Sequence, residues 1–231
     1  MSFLDPSAVT IDPIGWWFLA IIGLLLPVAA IRSAGRATQT DNAGEHRISQ
    51  RLRSVVVLVV LAAAALSVAW RDGIELFPPV RITLSLILVS LGILAAILML
   101  AELLLVAQSP EERRKLWVRQ IIPRSNAERI VWTISSCVAG ATEEIIFRGV
   151  FFALLVAVTR SIAVASLVSA VVFALAHYRQ GFKSMAFILG IALLFQWLVI
   201  YSGSLIPAMI VHAVYNIVRG LRASIRMRTS A

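Results

Sequence analysis

Charge is what this sequence has least of. Only 14% of its 231 residues are Asp, Glu, Lys or Arg, against about a quarter in an ordinary soluble domain. Mean hydropathy is +0.90, which rules out a large soluble core wrapped in a polar shell. Cysteine is nearly absent. Cys137 stands alone in an apolar stretch, so there is no intramolecular disulfide and no Cys-x-x-Cys site. The default reading of that thiol is a small buried core residue. The His-Glu-x-x-His pattern of many zinc hydrolases is missing. The first twelve residues hold no Lys or Arg. The charged start of a cleavable signal peptide is therefore lacking, and the first apolar stretch reads as a retained helix. No internal repeat is visible.

What remains is mostly apolar residues in long runs. Runs of roughly 17–25 such residues are each long enough to cross about 30 Å of hydrocarbon. The expected fold is all-α: a polytopic bundle of transmembrane helices near 14–31, 54–70, 82–107, 130–158, 161–177, 185–201 and 205–219. That makes about seven spans, or eight if the long fourth run breaks at Gly140. Gly140 reads equally well as a close helix contact. Trp16 and Trp17 suit an interfacial aromatic belt. Pro27 is expected to kink the end of the first span, and Pro78-Pro79 to stop any helix between the second and third.

Basic residues cluster at 32–53, 108–129, 179–183 and in the tail 220–231. They are sparse at 1–13, 71–81, 160 and 202–204. The two groups alternate with seven crossings, so the positive-inside rule places the N-terminus outside and the C-terminus in the cytoplasm. The net charge of +9 then serves topology and anionic lipid headgroups. Nucleic acid is not an expected partner, because no separate basic domain exists. The expected location is the cell (inner) membrane, as a multi-pass protein. The connection 32–53 reads as polar, with an exposed mobile loop from Thr38 and a merely solvated His46. Glu102 reads as a headgroup-level residue. Ser109-Pro110-Glu111-Glu112 and Ser125-x-x-Glu128 read as helix starts, the first opening a short amphipathic surface helix.

Against that background Glu143, Glu144 and Arg148 are conspicuous. An ionisable group at bilayer depth costs at least about 2.5–3.5 kcal/mol, so such groups pair or line a wet cavity. Glu144 and Arg148 have the favourable i, i+4 acid-then-base order. Glu143 lies about 100° away round the helix. Arg148 is thus expected to neutralise Glu144, leaving Glu143 to face water. His177 and His212 also lie in or at the end of apolar spans, with Phe173 four residues before the first and Asn216 four after the second. The topology puts Glu143, His177, His212 and Asn216 at a similar cytoplasmic depth. A carboxylate and a histidine can take a proton from water, while a second histidine and an amide can donate to an oxyanion. The same Glu and His residues can instead hold a divalent metal such as zinc. Other classes remain open at this point: a transporter or proton relay, and a non-catalytic membrane immunity or binding protein.

The ordered set Glu143-Glu144-x-x-x-Arg148, Phe173-x-x-x-His177 and His212-x-x-x-Asn216 resembles the three motifs of the CPBP family of intramembrane proteases. That family includes the type II CAAX prenyl endopeptidases and bacterial Abi proteins linked to bacteriocin processing and self-immunity. The resemblance covers 127–219. It divides the chain into N-terminal helices with basic loops (1–126), catalytic helices (127–219) and a basic tail (220–231). It implies that Glu143 and His177 activate the attacking water and that His212 and Asn216 stabilise the oxyanion. Glu144 and Arg148 would support them, with Phe173 packed beneath the imidazole of His177. Family members are often labelled metalloproteases, which implies Glu143, His177 and His212 as ligands if a metal is used. The short chain suggests a bacterial member. Its substrate would be a peptide or protein reaching the cytoplasmic half of the bilayer, without an expected prenyl group.

Overall fold

The computed structural model describes residues 9–34, 44–109, 111–113 and 122–229. Among them there are helices and turns but no strand. We number the long helices α1 (13–34), α2 (Gly44–Arg71), α3 (Leu84–Val106), α4 (126–159), α5 (Ile162–Ala176), α6 (Phe182–Ser202) and α7 (Ile206–Thr229). Each apolar run of the sequence has its helix, and the 130–158 run is one helix that does not break at Gly140. Four helices are long and apolar enough to cross a membrane: Pro13–Ser33, Arg47–Arg71, Leu84–Val106 and Phe182–Ser202. Ile162–Ala176 is apolar but shorter.

Local sequence explains the boundaries. Asp12 caps α1 by accepting from the Gly15 amide at 2.8 Å, with Pro13 at the first helical position. Thr83, Ser125 and Ser161 cap α3, α4 and α5 in the same way. Gly203, at φ 72°, ends α6 in the left-handed conformation. Pro27 does not break α1. Its carbonyl-clashing ring follows a wide π turn, Ile21–Leu25, and the helix continues from Leu26 to Ala34. At Ser109 the hydroxyl accepts from the Glu112 amide and the Glu112 carboxylate accepts from the Ser109 amide, as a helix start requires. The surface helix expected beyond it falls mainly on 114–120, outside the described residues.

Two expectations are corrected. The polar connection drawn over 32–53 is too long, because α2 already begins at Gly44. Arg47 and Arg51 are therefore helix residues docked on α4. Arg47 donates to Glu128 from Nε at 3.1 Å and from Nη2 at 2.7 Å. Arg51 lies 3.8 Å above the Trp132 ring and donates to Ser135. Fixed partners of this kind extend a helix beyond its apolar part. Residues 38–43 and the side chain of His46 lie outside the described residues. Cys137, expected to be buried, is exposed on α4. Its neighbours Ser135, Ser136 and Gly140 occupy the inward side, which leaves the thiol on the outer face.

α4 is the axis of the bundle. It packs along α7 on one side and α2 on another, while α5 and α6 pair with each other. Glycine sets the α4–α7 spacing. A Cβ on Gly140 would lie 2.8 Å from the backbone nitrogen of Ala213, and one on Gly220 would strike the Trp132 ring. Each helix thus gives up a side chain where the other presses closest, the small-residue packing common between membrane helices. The Trp132 indole crosses the same seam and donates to the Asn216 carbonyl at 2.9 Å.

Candidate active site

α4 is not α-helical throughout. Glu144–Phe151 forms a π segment, with Glu143 as the last α-helical residue before it. Such wide turns are rare and concentrate at functional sites. Phe147 within the segment accepts a hydrogen bond from the Ser169 hydroxyl of α5 at 2.9 Å, tying the two helices together.

The two glutamates diverge at this junction. Glu144 is fully buried and Arg148 nearly so. Arg148 Nη1 donates to Glu144 Oε1 at 3.1 Å. The same oxygen lies 2.7 Å from His212 Nδ1, on α7. The guanidinium is stacked 4.1 Å from the Phe173 ring centroid and 5.7 Å from that of Phe195. Aromatic faces stabilise such a desolvated cation. Glu143 points the other way. It lines a cavity of about 250 Å³ shared with His177, His212, Asn216 and Phe173. Its Oε2 lies 3.8 Å from His212 Nε2.

Hydrogen bonding sets what each imidazole can do. With its Nδ1 facing the Glu144 carboxylate, His212 donates there and is held in one orientation. Its Nε2 lies toward Glu143 and donates to the cavity when the ring is the imidazolium. His177 is tied differently. Its Nδ1 lies 2.8 Å from the Phe173 carbonyl, so Nδ1 carries the proton and Nε2 keeps the lone pair of a base. The Phe173 ring packs 4.6 Å from the His177 ring. Both imidazoles are thus fixed through Nδ1, one by a backbone carbonyl and the other by a buried carboxylate.

All seven residues singled out from the sequence are therefore in one place. Glu143, His177, His212, Asn216 and Phe173 face the cavity, and Glu144 and Arg148 stand behind His212. The sequence did not reveal that Glu144 orients His212. Nor did it reveal Phe195, whose ring lies 5.1 Å from His212, or the cations Arg51 and Arg219 in the cavity wall. The Ser135-Ser136 and Gly140 run of small residues was the available signal for the close α4–α7 seam. The metal alternative fits poorly. Among the described residues no three His, Cys, Asp or Glu side chains are grouped as a metal site. Nδ1 of His177 and of His212 is held by a protein acceptor, which leaves Nε2 as the open nitrogen of each ring.

Outside the membrane helices, the first turn of α4 is pinned by Glu128. Burial alone would raise its carboxyl pKa, but Arg47, the Arg124 amide at 3.0 Å and the Ser125 hydroxyl outweigh it and hold the group below the usual carboxylate range.

Residues 125–218 match a family model described as Type II CAAX prenyl endopeptidase Rce1-like. This is a domain match to the Rce1-like family, in line with the resemblance that the three motifs carry. It opens at the Ser125 cap, closes within α7 and contains every residue of the three motifs. No curated protein and no solved structure matches the chain. The Rce1-like match implies protease activity in general terms. Together with the apolar helices it marks the chain as a membrane protein.

Proposed function

We propose that the chain is an intramembrane endopeptidase in which Glu143 and His177 activate water against a peptide carbonyl. The observation that carries this reading is the cavity where Glu143, His177, His212 and Asn216 meet, backed by the buried Glu144–Arg148 pair. Water loses a proton to Glu143 or His177 Nε2 as its oxygen bonds to the carbonyl carbon. The oxyanion accepts from His212 Nε2 and the Asn216 amide. Collapse breaks the C–N bond, and the proton held by the base passes to the leaving amine. A carboxylate and an amine result, with no oxidant or reductant needed.

Seven crossings with the C-terminus in the cytoplasm, as the basic connections suggest, would open the cavity to the cytoplasmic half of the bilayer. The substrate class is then a peptide or protein segment reaching that half, consistent with a role in peptide processing. The test is cleavage of a membrane-associated peptide by the purified protein in liposomes. Glu143→Gln and His177→Ala are each expected to lower the rate by about 10²–10⁴-fold with the helical circular-dichroism signal unchanged. Undiminished cleavage in either folded variant overturns the reading. A chelator is expected to leave the rate unchanged, and a metal-restored loss would favour the metal-dependent form.

A further inference from the structure

A second cavity, of about 210 Å³, lies where the C-terminal end of α3, the start of α6 and the last turns of α7 converge. Its charged lining is one-sided. Among the described residues, Lys183, Arg219, Arg222 and Arg226 face it, and Glu102 is the sole carboxylate lining it. Glu102 serves two guanidinium groups, Arg226 at 2.6 Å and Arg222 at 3.8 Å. Lys183 reaches Glu112 at 2.9 Å in an exposed pair, a contact of little strength in water. The cavity therefore carries an excess of positive charge that its own carboxylate does not balance. The wall also holds a buried acceptor, Gln108 Oε1, with no hydrogen-bond partner in the protein. Leu104, Leu105 and Phe187 make the remainder of the lining apolar.

We propose that this cavity binds the headgroup of an anionic phospholipid. The phosphate would sit among the guanidinium groups, whose forked donors can pair with two of its oxygens at once. A headgroup hydroxyl would donate to Gln108 Oε1. The acyl chains would leave along the leucines of α3 and Phe187. The location suits this occupant, because α3 and α6 end their apolar runs here, at Val106 and Phe182, where headgroups lie. Basic pockets between membrane helices bind anionic headgroups by this chemistry. The inference rests on the membrane reading and not on catalysis. Arg219 lines both cavities, so the headgroup site and the candidate active site share one guanidinium wall.

The experiment is native mass spectrometry of the full chain released from nanodiscs of phosphatidylcholine doped with phosphatidylglycerol. The wild type is expected to retain phosphatidylglycerol in preference to phosphatidylcholine. The Lys183→Gln/Arg222→Gln variant is expected to weaken retention about tenfold or more, since each basic residue near a lipid surface contributes strongly. The control Arg32→Gln/Arg53→Gln removes the same charge elsewhere and is expected to retain the lipid like the wild type. Equal loss in both variants, or no preference over phosphatidylcholine, overturns the proposal. So does displacement of the lipid by millimolar inorganic phosphate, which would make the occupant a soluble phosphate.

Discussion

α3 and α4 are both long enough to cross a bilayer, and they use their length in opposite ways. Apart from Ser85, Ser90 and Glu102, α3 is apolar throughout, and only 17% of its most apolar window is buried inside the protein. Leu86, Ile93 and Ile97 face inward, while most of its other leucines face outward, as lipid-facing residues should. α4 carries three carboxylates, two guanidinium groups, serines and threonines, and from Ile146 to Leu154 it is buried without interruption. The comparison shows that hydropathy finds the scaffold and misses the machine. The helix that looks most like a membrane span has the least to do. The one that fails the apolarity test holds the candidate site, where its buried charges pair with His212 of α7 and with each other.

The contrast can be broken by substitution. The largest effect is expected at Arg148→Ala, which leaves Glu144 buried beside His212 without its cation. Stability should fall by about 3–5 kcal/mol, seen as a lower thermal midpoint in detergent. A variant as stable as the wild type would show that the pair is not needed. Next comes Gly140→Ala. The added carbon meets backbone on α7, so α4 and α7 must separate at a cost of about 1–3 kcal/mol. Peptide cleavage should drop more than stability, because Glu143 and His212 sit on the two sides of that seam.

Glu128 gives a smaller, pH-dependent effect. Its folded pKa is depressed, so its contribution is present above the unfolded value of 4.5 and is lost as pH falls through the folded one. The thermal midpoint should decline as pH falls below about 4.5. Glu128→Gln should flatten that part of the profile. The smallest effect belongs to α3. Leu88 is 59% exposed, and Leu88→Val should change stability by less than about 0.5 kcal/mol and leave cleavage untouched. A large loss there would mean that the outer face of α3 has a protein partner.

Much of this was legible in the residues. Long apolar runs announced the helices, and the cost of charge in hydrocarbon drew attention to Glu143, Glu144 and Arg148. The i, i+4 spacings foretold the Glu144–Arg148 pair and the packing of Phe173 on His177. What stayed hidden depends on neighbours far along the chain. Arg47 and Arg51 look like loop cations until Glu128 and Trp132 come beside them. Cys137 looks buried until the serines before it claim the inner face. The Glu144–His212 contact joins residues 68 apart, and no local spacing encodes it. Gly140 was ambiguous in sequence. Only the approach of Ala213 identifies it as a contact.

The π segment Glu144–Phe151 has a consequence for how α4 is phased. A wide turn accommodates about one residue more than an α turn, so the side-chain pattern beyond it lags by roughly 100°. The half of α4 before the segment keeps Ser135, Ser136 and Gly140 toward α2 and α7. Within the segment, Phe147 and Phe151 turn toward α5 and α1. A helix of single phase would have to choose between those two sets of neighbours. The change of phase begins at the Glu143–Glu144 bond, so one carboxylate is sealed among protein groups while the next opens on the cavity.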